Sequence, residues 1–161
     1  MAMKFKPIYG LSGGGTASAN PYACKASQTI AVGDIVSMDV NGQVSKCTHS
    51  GGTAPMWASG ANWVVGVAAS SVDGAAADDQ ILVWDDPNQV YLATSLTASQ
   101  TKVGATSDIA VDTQVLDLAG SGSDALTVVD LWSNRSADGA STQVLSKITH
   151  SKHIFSAGEG V

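Results

Sequence analysis

The chain has few charged residues. Only 14% of its 161 residues are Asp, Glu, Lys or Arg, against roughly 25% in an average soluble domain. The main helix formers are scarce, and Glu159 is the single glutamate, whereas Val, Thr, Ser and Gly are abundant. This shortage works against a helix bundle and predicts an all-β fold, of a size that fits one domain with its own core.

Basic residues are particularly scarce. The chain holds 8 Lys and Arg against 14 Asp and Glu, and its net charge is -6. A protein that binds DNA or RNA neutralises phosphates with clustered Lys and Arg. The composition therefore predicts no direct nucleic-acid partner.

Long apolar runs are absent as well. The start Met1–Pro7 is basic but is followed by no apolar segment, so nothing resembles a secretory signal. The apolar run from Trp63 to Ala69 is too short to span a bilayer. We expect a soluble protein with no membrane partner.

Residues that could carry chemistry are sparse and poorly spaced. Of the three histidines, His150 and His153 would point to opposite faces of a strand, which argues against a metal site. The pairs Asp78-Asp79 and Asp85-Asp86 have the character of solvated turn formers, and no Gly-x-Ser-x-Gly motif is present. The sequence predicts no catalytic, cofactor-binding or metal-binding residues and no enzyme activity.

The two cysteines, Cys24 and Cys47, leave two states open. They could form one disulfide if the fold brought them together, and spacing alone does not decide this. Buried free thiols are the simpler interpretation.

The first twenty residues lack the pattern of a core element. A short basic segment is followed by a Gly- and Ser-rich stretch, residues 10–20, which cannot bury a face of its own. We predict a flexible N-terminal arm over residues 1–20 and a single β-rich domain over residues 21–161. Within that domain a strand-hairpin core spans 21–105 and further strands span 106–161.

Short alternating segments separated by turn residues predict the strands. Val36, Met38 and Val40 share one face and lead into Asn41-Gly42, a dipeptide suited to a two-residue hairpin turn. The apolar run at 62–68 fits a central strand covered on both faces, and Gly66 within it suggests a bulge or a close backbone approach.

Further strands are predicted towards the C-terminus. Residues 80–84 and 89–94 flank Asp85-Asp-Pro-Asn88 and predict a second hairpin. Strands are also expected at 113–118, 126–132 and 144–150. Short antiparallel strands joined by Gly-rich turns predict a small β-barrel or sandwich.

The ordered set of segments resembles a known family. Its residues are Val32–Val36, the Asn41-Gly42 hairpin, Val64–Ala68, Ile81–Tyr91, Leu116–Leu118, Leu126–Leu131 and Val144–His150. Together they resemble the decoration, cement or head-stabilising proteins of tailed-bacteriophage capsids, over most of residues 21–161. The uncharged loop at 50–60 departs from this pattern, and its role stays open.

The resemblance implies a structural virion protein. Such a protein is made in the host cytoplasm and binds the outer surface of the capsid, where it stabilises the shell by bridging neighbouring major capsid subunits. It is commonly a homo-oligomer, and a homotrimer is favoured. Independently, a weakly charged β-domain can bury flat patches without desolvating many charges.

The N-terminal arm is the expected attachment segment. It carries two cations in an acidic protein together with apolar anchors, and the predicted capsid-binding residues are Lys4, Phe5, Lys6, Ile8 and Tyr9.

Two other functions compete with this interpretation. A carbohydrate-binding β-module that adheres to host or mucosal glycans would use an exposed tryptophan, such as Trp57, although the four tryptophans are more simply explained as core residues. A small β-rich enzyme is the third possibility.

Overall fold

The computed structural model describes residues 5–10, 17–47, 63–98, 100–110, 115–118, 126–131 and 141–149. Across these ranges the chain forms eleven strands and one 3-10 turn, Gln100–Lys102. The strands are β1 (Phe5–Gly10), β2 (Ala19–Ala23), β3 (Ile35–Met38), β4 (Val44–Lys46), β5 (Trp63–Ala68), β6 (Gln80–Trp84), β7 (Gln89–Ala98), β8 (Thr106–Ala110), β9 (Val115–Asp117), β10 (Leu126–Leu131) and β11 (Ser141–Ile148). The predicted all-β class is confirmed.

The strands of the described ranges form two sheets. The first sheet has the order β1-β7-β11-β10-β8-β9, and the second sheet has the order β2-β6-β5-β3-β4. Their pairings are antiparallel, apart from one parallel pair in which Ser95 lies opposite Leu116 and brings β9 back beside β7. The architecture is sandwich-like, one of the two alternatives that the sequence predicts.

Apolar side chains form two clusters on either side of the second sheet. The shared core contains side chains from both sheets, including Ile35 and Val67 from the second sheet and Phe5 and Tyr91 from the first. The outer core lies on the other face of the second sheet. Its members are Cys24, Ile30, Val36, Val44, Val65, Ala68, Ala75, Ile81 and Val83.

Strand β5 is a central strand with both faces buried, as predicted. Val64 and Val67 belong to the shared core, whereas Val65 and Ala68 belong to the outer core. This alternation changes phase because the β3–β5 register shifts between Val36 and Ser37. A Cβ atom on Gly66 would lie 2.0 Å from the carbonyl oxygen of Trp84. The structure therefore confirms both a bulge and a close backbone approach.

The predicted β3–β4 hairpin is confirmed, but its turn is longer than predicted. Asp39 N donates to Gln43 O, and Gly42 N donates to Asp39 O. Gly42 has a φ of 77° and Asn41 has no positive φ, so the loop is a three-residue turn with glycine in the left-handed region. Val40 consequently lies in the turn, 78% exposed, instead of on the buried face.

The predicted second hairpin is wrong. Both strands exist, but β6 belongs to the second sheet and β7 to the first. The turn chemistry is as expected, since Asn88 N donates to the Asp86 carboxylate and Gln89 N donates to Asp86 O. The same turn signals therefore form a corner that carries the chain from one sheet to the other. The Tyr91 hydroxyl stabilises this corner by donating to Trp84 O at 3.0 Å.

The start of the chain also differs from the prediction of a flexible arm. Residues 5–10 form β1, which pairs with β7, and residues 19–23 form β2, which pairs with β6. Phe5 is fully buried in the shared core. A single apolar side chain with a place in the core, together with backbone pairing to β7, orders a segment that has little hydrophobic pattern of its own.

The remaining predictions have mixed outcomes. Strand β9, Val115–Asp117, lies within the predicted strand 113–118. The two predicted parts of the domain, 21–105 and 106–161, both contribute strands to the first sheet. Cys24 and Cys47 are buried thiols, one in each core, and no disulfide joins them. Trp84 is half-buried against the shared core. Trp57, Trp132, His49, His150, His153 and the loop at 50–60 lie outside the described residues.

Candidate binding surfaces

The structure separates the five residues predicted to bind a capsid. Phe5 is fully buried, so its side chain is not available to a partner on the surface. Lys6 is exposed and lies opposite Leu92, and Ile8 is half-buried where the β1–β7 register shifts. Tyr9 pairs through its backbone with Val90. Lys4 lies outside the described residues.

Two apolar side chains are exposed near one end of the second sheet, Val40 in the β3–β4 turn and Trp63 at the start of β5. Met38 and Trp63 are paired across β3 and β5. Trp63 is 40% exposed, and Val40 is held outward by the turn. A large exposed side chain that a tight turn fixes in place can bind a partner without first being ordered.

Leu82 is a further exposed apolar residue. It lies on β6 opposite Pro21 of the edge strand β2, and it is 44% exposed. With Val40 and Trp63 it completes the set of large apolar side chains exposed in the described part of the chain. Single exposed apolar residues are common on protein surfaces, so Leu82 does not by itself mark a binding site.

A partly buried polar cluster lies where β6 ends. Asn20 Nδ2 lies 2.9 Å from both carboxylate oxygens of Asp85, and the Tyr22 hydroxyl donates to Asp85 Oδ2. Asn20 and Tyr22 share one face of β2 because side chains alternate along a strand. Asp85 follows β6, the strand that pairs with β2. The cluster thus joins the edge strand β2 to the sheet-crossing corner.

The electrostatics of this cluster suit a structural role. Partial burial, followed by the hydrogen bond and charge of Asp85, raises the pKa of Tyr22 above its usual range. The phenol therefore stays protonated and continues to donate to the carboxylate. All of the contacts described for Asp85 come from neutral groups of this chain, and they hold β2 in place.

The acidic pairs were interpreted from sequence as solvated turn formers, which is correct for three of the four residues. Asp78 is exposed, the Asp79 carboxylate accepts from Ala76 N, and the Asp86 carboxylate accepts from Asn88 N. Asp85 differs, since it is buried and hydrogen-bonded to β2. Sequence reasoning missed this role because Asn20 and Tyr22 are more than sixty positions away. The one available signal was their spacing of two residues, which places both side chains on the same face of a strand.

A buried ion pair lies at the opposite edge of the second sheet. Lys46 Nζ is 3.1 Å from Asp34 Oδ2, and the Asp34 side chain is almost fully buried. The same carboxylate oxygen accepts from Ala31 N. The pair fixes the loop before β3 against β4, and we therefore assign it a structural role.

The described residues contain no group of three or more His, Cys, Asp or Glu side chains placed to hold a metal ion. Over the same residues, no helix has the length and hydrophobicity needed to cross a bilayer.

Comparison of the chain with protein-family models, with curated proteins and with solved structures gives no match.

Proposed function

We propose that this chain is a structural virion protein that binds the outer surface of a phage capsid. It stabilises the shell by bridging neighbouring major capsid subunits, as a homo-oligomer for which a trimer is favoured. The mechanism is thermodynamic: a protein that binds only the assembled lattice stabilises it by mass action. Several weak contacts made by one oligomer then slow its release.

The observation that carries the proposal is the exposure of Val40, Trp63 and Leu82. These side chains belong to the second sheet and its hairpin turn, and apolar cores cover both faces of that sheet at β5. An apolar side chain fixed by a tight turn loses little conformational entropy on binding, and a chain with only 14% charged residues has few charges to desolvate. These properties suit a protein that acts through contact area. The resemblance of the strand segments to capsid decoration proteins supports the capsid as the partner.

The attachment hypothesis changes in form because Phe5 is a core residue. Deletion of residues 1–20 would remove β1 with Phe5 and the first two residues of β2, so loss of binding by a truncated chain would report unfolding as readily as lost contacts. The hypothesis is therefore restricted to Lys4, Lys6, Ile8 and Tyr9, presented beside or along an edge strand. Substitution of Lys6, which is exposed, tests it without disturbing the core.

The experiment uses shells of the major capsid protein assembled without this chain. We expect the full-length chain to sediment with the shells and to raise the temperature at which they break open. Lys6→Glu should weaken binding about fivefold, the effect of one exposed ion pair. Lys25→Glu makes the same change of charge at an exposed residue that follows β2 and pairs with Asp39, and it should weaken binding less than Lys6→Glu does.

Two results would contradict the proposal. A full-length chain that neither sediments with shells nor alters their heat resistance would exclude the capsid function. Equal weakening by Lys6→Glu and Lys25→Glu would show that attachment is not specific to β1.

The alternative of a carbohydrate-binding module rests on one specific observation. Trp63 is partly exposed, and an exposed indole can stack on a sugar ring. Glycan-array binding that is lost in Trp63→Ala would favour this function. An array without binding at high protein concentration would exclude it for the glycans displayed.

A further inference from the structure

The turn that joins β3 and β4 holds the single asparagine of the chain that precedes a glycine, Asn41 before Gly42. Both residues are exposed. Gly42 has a φ of 77°, and nothing lies within 4 Å of the position that a Cβ atom would occupy. The side chain of Asn41 and the main-chain nitrogen of Gly42 are therefore neighbours in an open, solvent-accessible turn.

We propose that Asn41 is a site of spontaneous deamidation. The main-chain nitrogen of Gly42 loses its proton and attacks Cγ of Asn41, forming the new C–N bond of a cyclic imide. The side-chain nitrogen leaves as ammonia. Water then opens the ring at either carbonyl and yields aspartate or isoaspartate, so that the only co-reactant is water.

The other described asparagines lack these features. Asn20 precedes Pro21, whose nitrogen carries no hydrogen and cannot act as the nucleophile. Asn88 precedes Gln89, which is buried and carries a side chain. A glycine presents no Cβ atom to hinder ring closure. Asn41 should consequently react before either of them.

Asp39 controls access to the reaction. Asp39 O accepts from Gly42 N at 3.0 Å, and the Asp39 carboxylate accepts from Asn41 N and Gln43 N. While these bonds are made, the attacking nitrogen is engaged with Asp39 O and the turn is held in one conformation. Reaction requires a local opening of the turn, which costs less free energy than global unfolding in an exposed loop.

The product would weaken the hairpin. Isoaspartate adds a methylene group to the main chain of a turn whose length sets the register between β3 and β4. Either product also adds a carboxylate beside Asp39. Because Val44 and Cys47 depend on this register for their burial, the change reaches both cores.

The test follows the full-length chain at mildly alkaline pH by peptide mapping. We expect the peptide containing Asn41 to gain the mass of an amide-to-acid conversion and to contain isoaspartate, while the Asn20 peptide is unchanged and the Asn88 peptide reacts more slowly. Isomerisation at Asp73, which also precedes glycine, leaves the mass unchanged and is distinguished in this way. Aged protein should melt about 2–4 °C lower than fresh protein, whereas aged Asn41→Gln should not change.

Two variants test the role of Asp39. Asp39→Ala removes the side-chain acceptor and should accelerate the conversion of Asn41. Asp39→Asn keeps an acceptor oxygen but removes the charge, so the two variants together separate the effect of the hydrogen bonds from the effect of the charge. Equal rates in Asp39→Ala and the unmodified chain would overturn the control assigned to this residue. An Asn41 that stays intact in the folded chain, under conditions in which the denatured chain converts, would overturn the proposal itself.

Discussion

The Cys47 side chain shows how one buried group makes stability depend on pH. Cys47 is enclosed in the shared core, and burial raises the pKa of its thiol to about 12 from an ordinary value of 9.0. Below the ordinary value the thiol is protonated in both the folded and the unfolded chain. Between the two values the unfolded chain ionises while the folded chain keeps its proton, so stability falls as the pH rises. Tyr22 and Tyr91, whose pKa values are also raised by burial, act in the same direction at higher pH.

We therefore predict a loss of stability above about pH 9, of about 1.4 kcal/mol per pH unit for each such group. Urea denaturation at a series of pH values measures the slope. Cys47→Ala should be less stable at neutral pH but should show a shallower decline between the ordinary and the raised pKa. Identical slopes for the two proteins would contradict the assignment to Cys47.

At the scale of elements, β5 depends on a glycine that no side chain can replace. The Cβ of an alanine at position 66 would overlap the Trp84 carbonyl oxygen, and the main chain of a paired strand cannot move away easily. This contact arises where the bulge brings β5 and β6 together. The element is therefore restricted by its backbone as well as by its apolar side chains.

Gly66→Ala should destabilise the protein by about 4 kcal/mol or more, in the range reserved for severe backbone or core defects. Val67→Ala, at the next position, should cost about 1–3 kcal/mol through lost apolar burial alone. Chemical denaturation compares the two variants. If Gly66→Ala does not fold, limited proteolysis provides the same ranking, and equal resistance of the two variants would contradict the prediction.

The elements also show what sequence can and cannot predict. Alternation located β3, a continuous apolar run located β5, and Asn41-Gly42 located the hairpin, because these signals depend on neighbouring residues. Residues 85–88 have equally good turn chemistry but join strands of different sheets. A local turn signal does not encode which strand the chain pairs with next. The contacts of Asp85 with Asn20 and Tyr22 could not be predicted either, because they also depend on which strands pair.

At the scale of the whole molecule, both sheets contribute to a core that includes the start of the chain. Phe5 is among the largest fully buried side chains, and it lies beside residues from the second sheet in the shared core. Phe5 N donates to Gly33 O of the loop that precedes β3. The first strand therefore links the two sheets although it is an edge strand.

Phe5→Ala should lower the free energy of unfolding by about 3–5 kcal/mol, the usual effect of removing a buried phenylalanine. Thermal denaturation of the full chain measures this change. Lys6→Ala, one position along on the exposed side, serves as the control and should change stability by about 0.5 kcal/mol or less. A Phe5→Ala protein as stable as the control would restore the prediction of a flexible arm.

Pro7 lies in β1 and Pro21 lies in β2, and both strands are edge strands of their sheets in the described residues. A proline has no amide hydrogen to offer to an incoming strand, and edge prolines hinder uncontrolled sheet extension. Copies of this chain crowded together are thus discouraged from joining at these borders into fibrils. Whatever assembly they form can be finite, with its geometry set by faces instead of by endless backbone pairing.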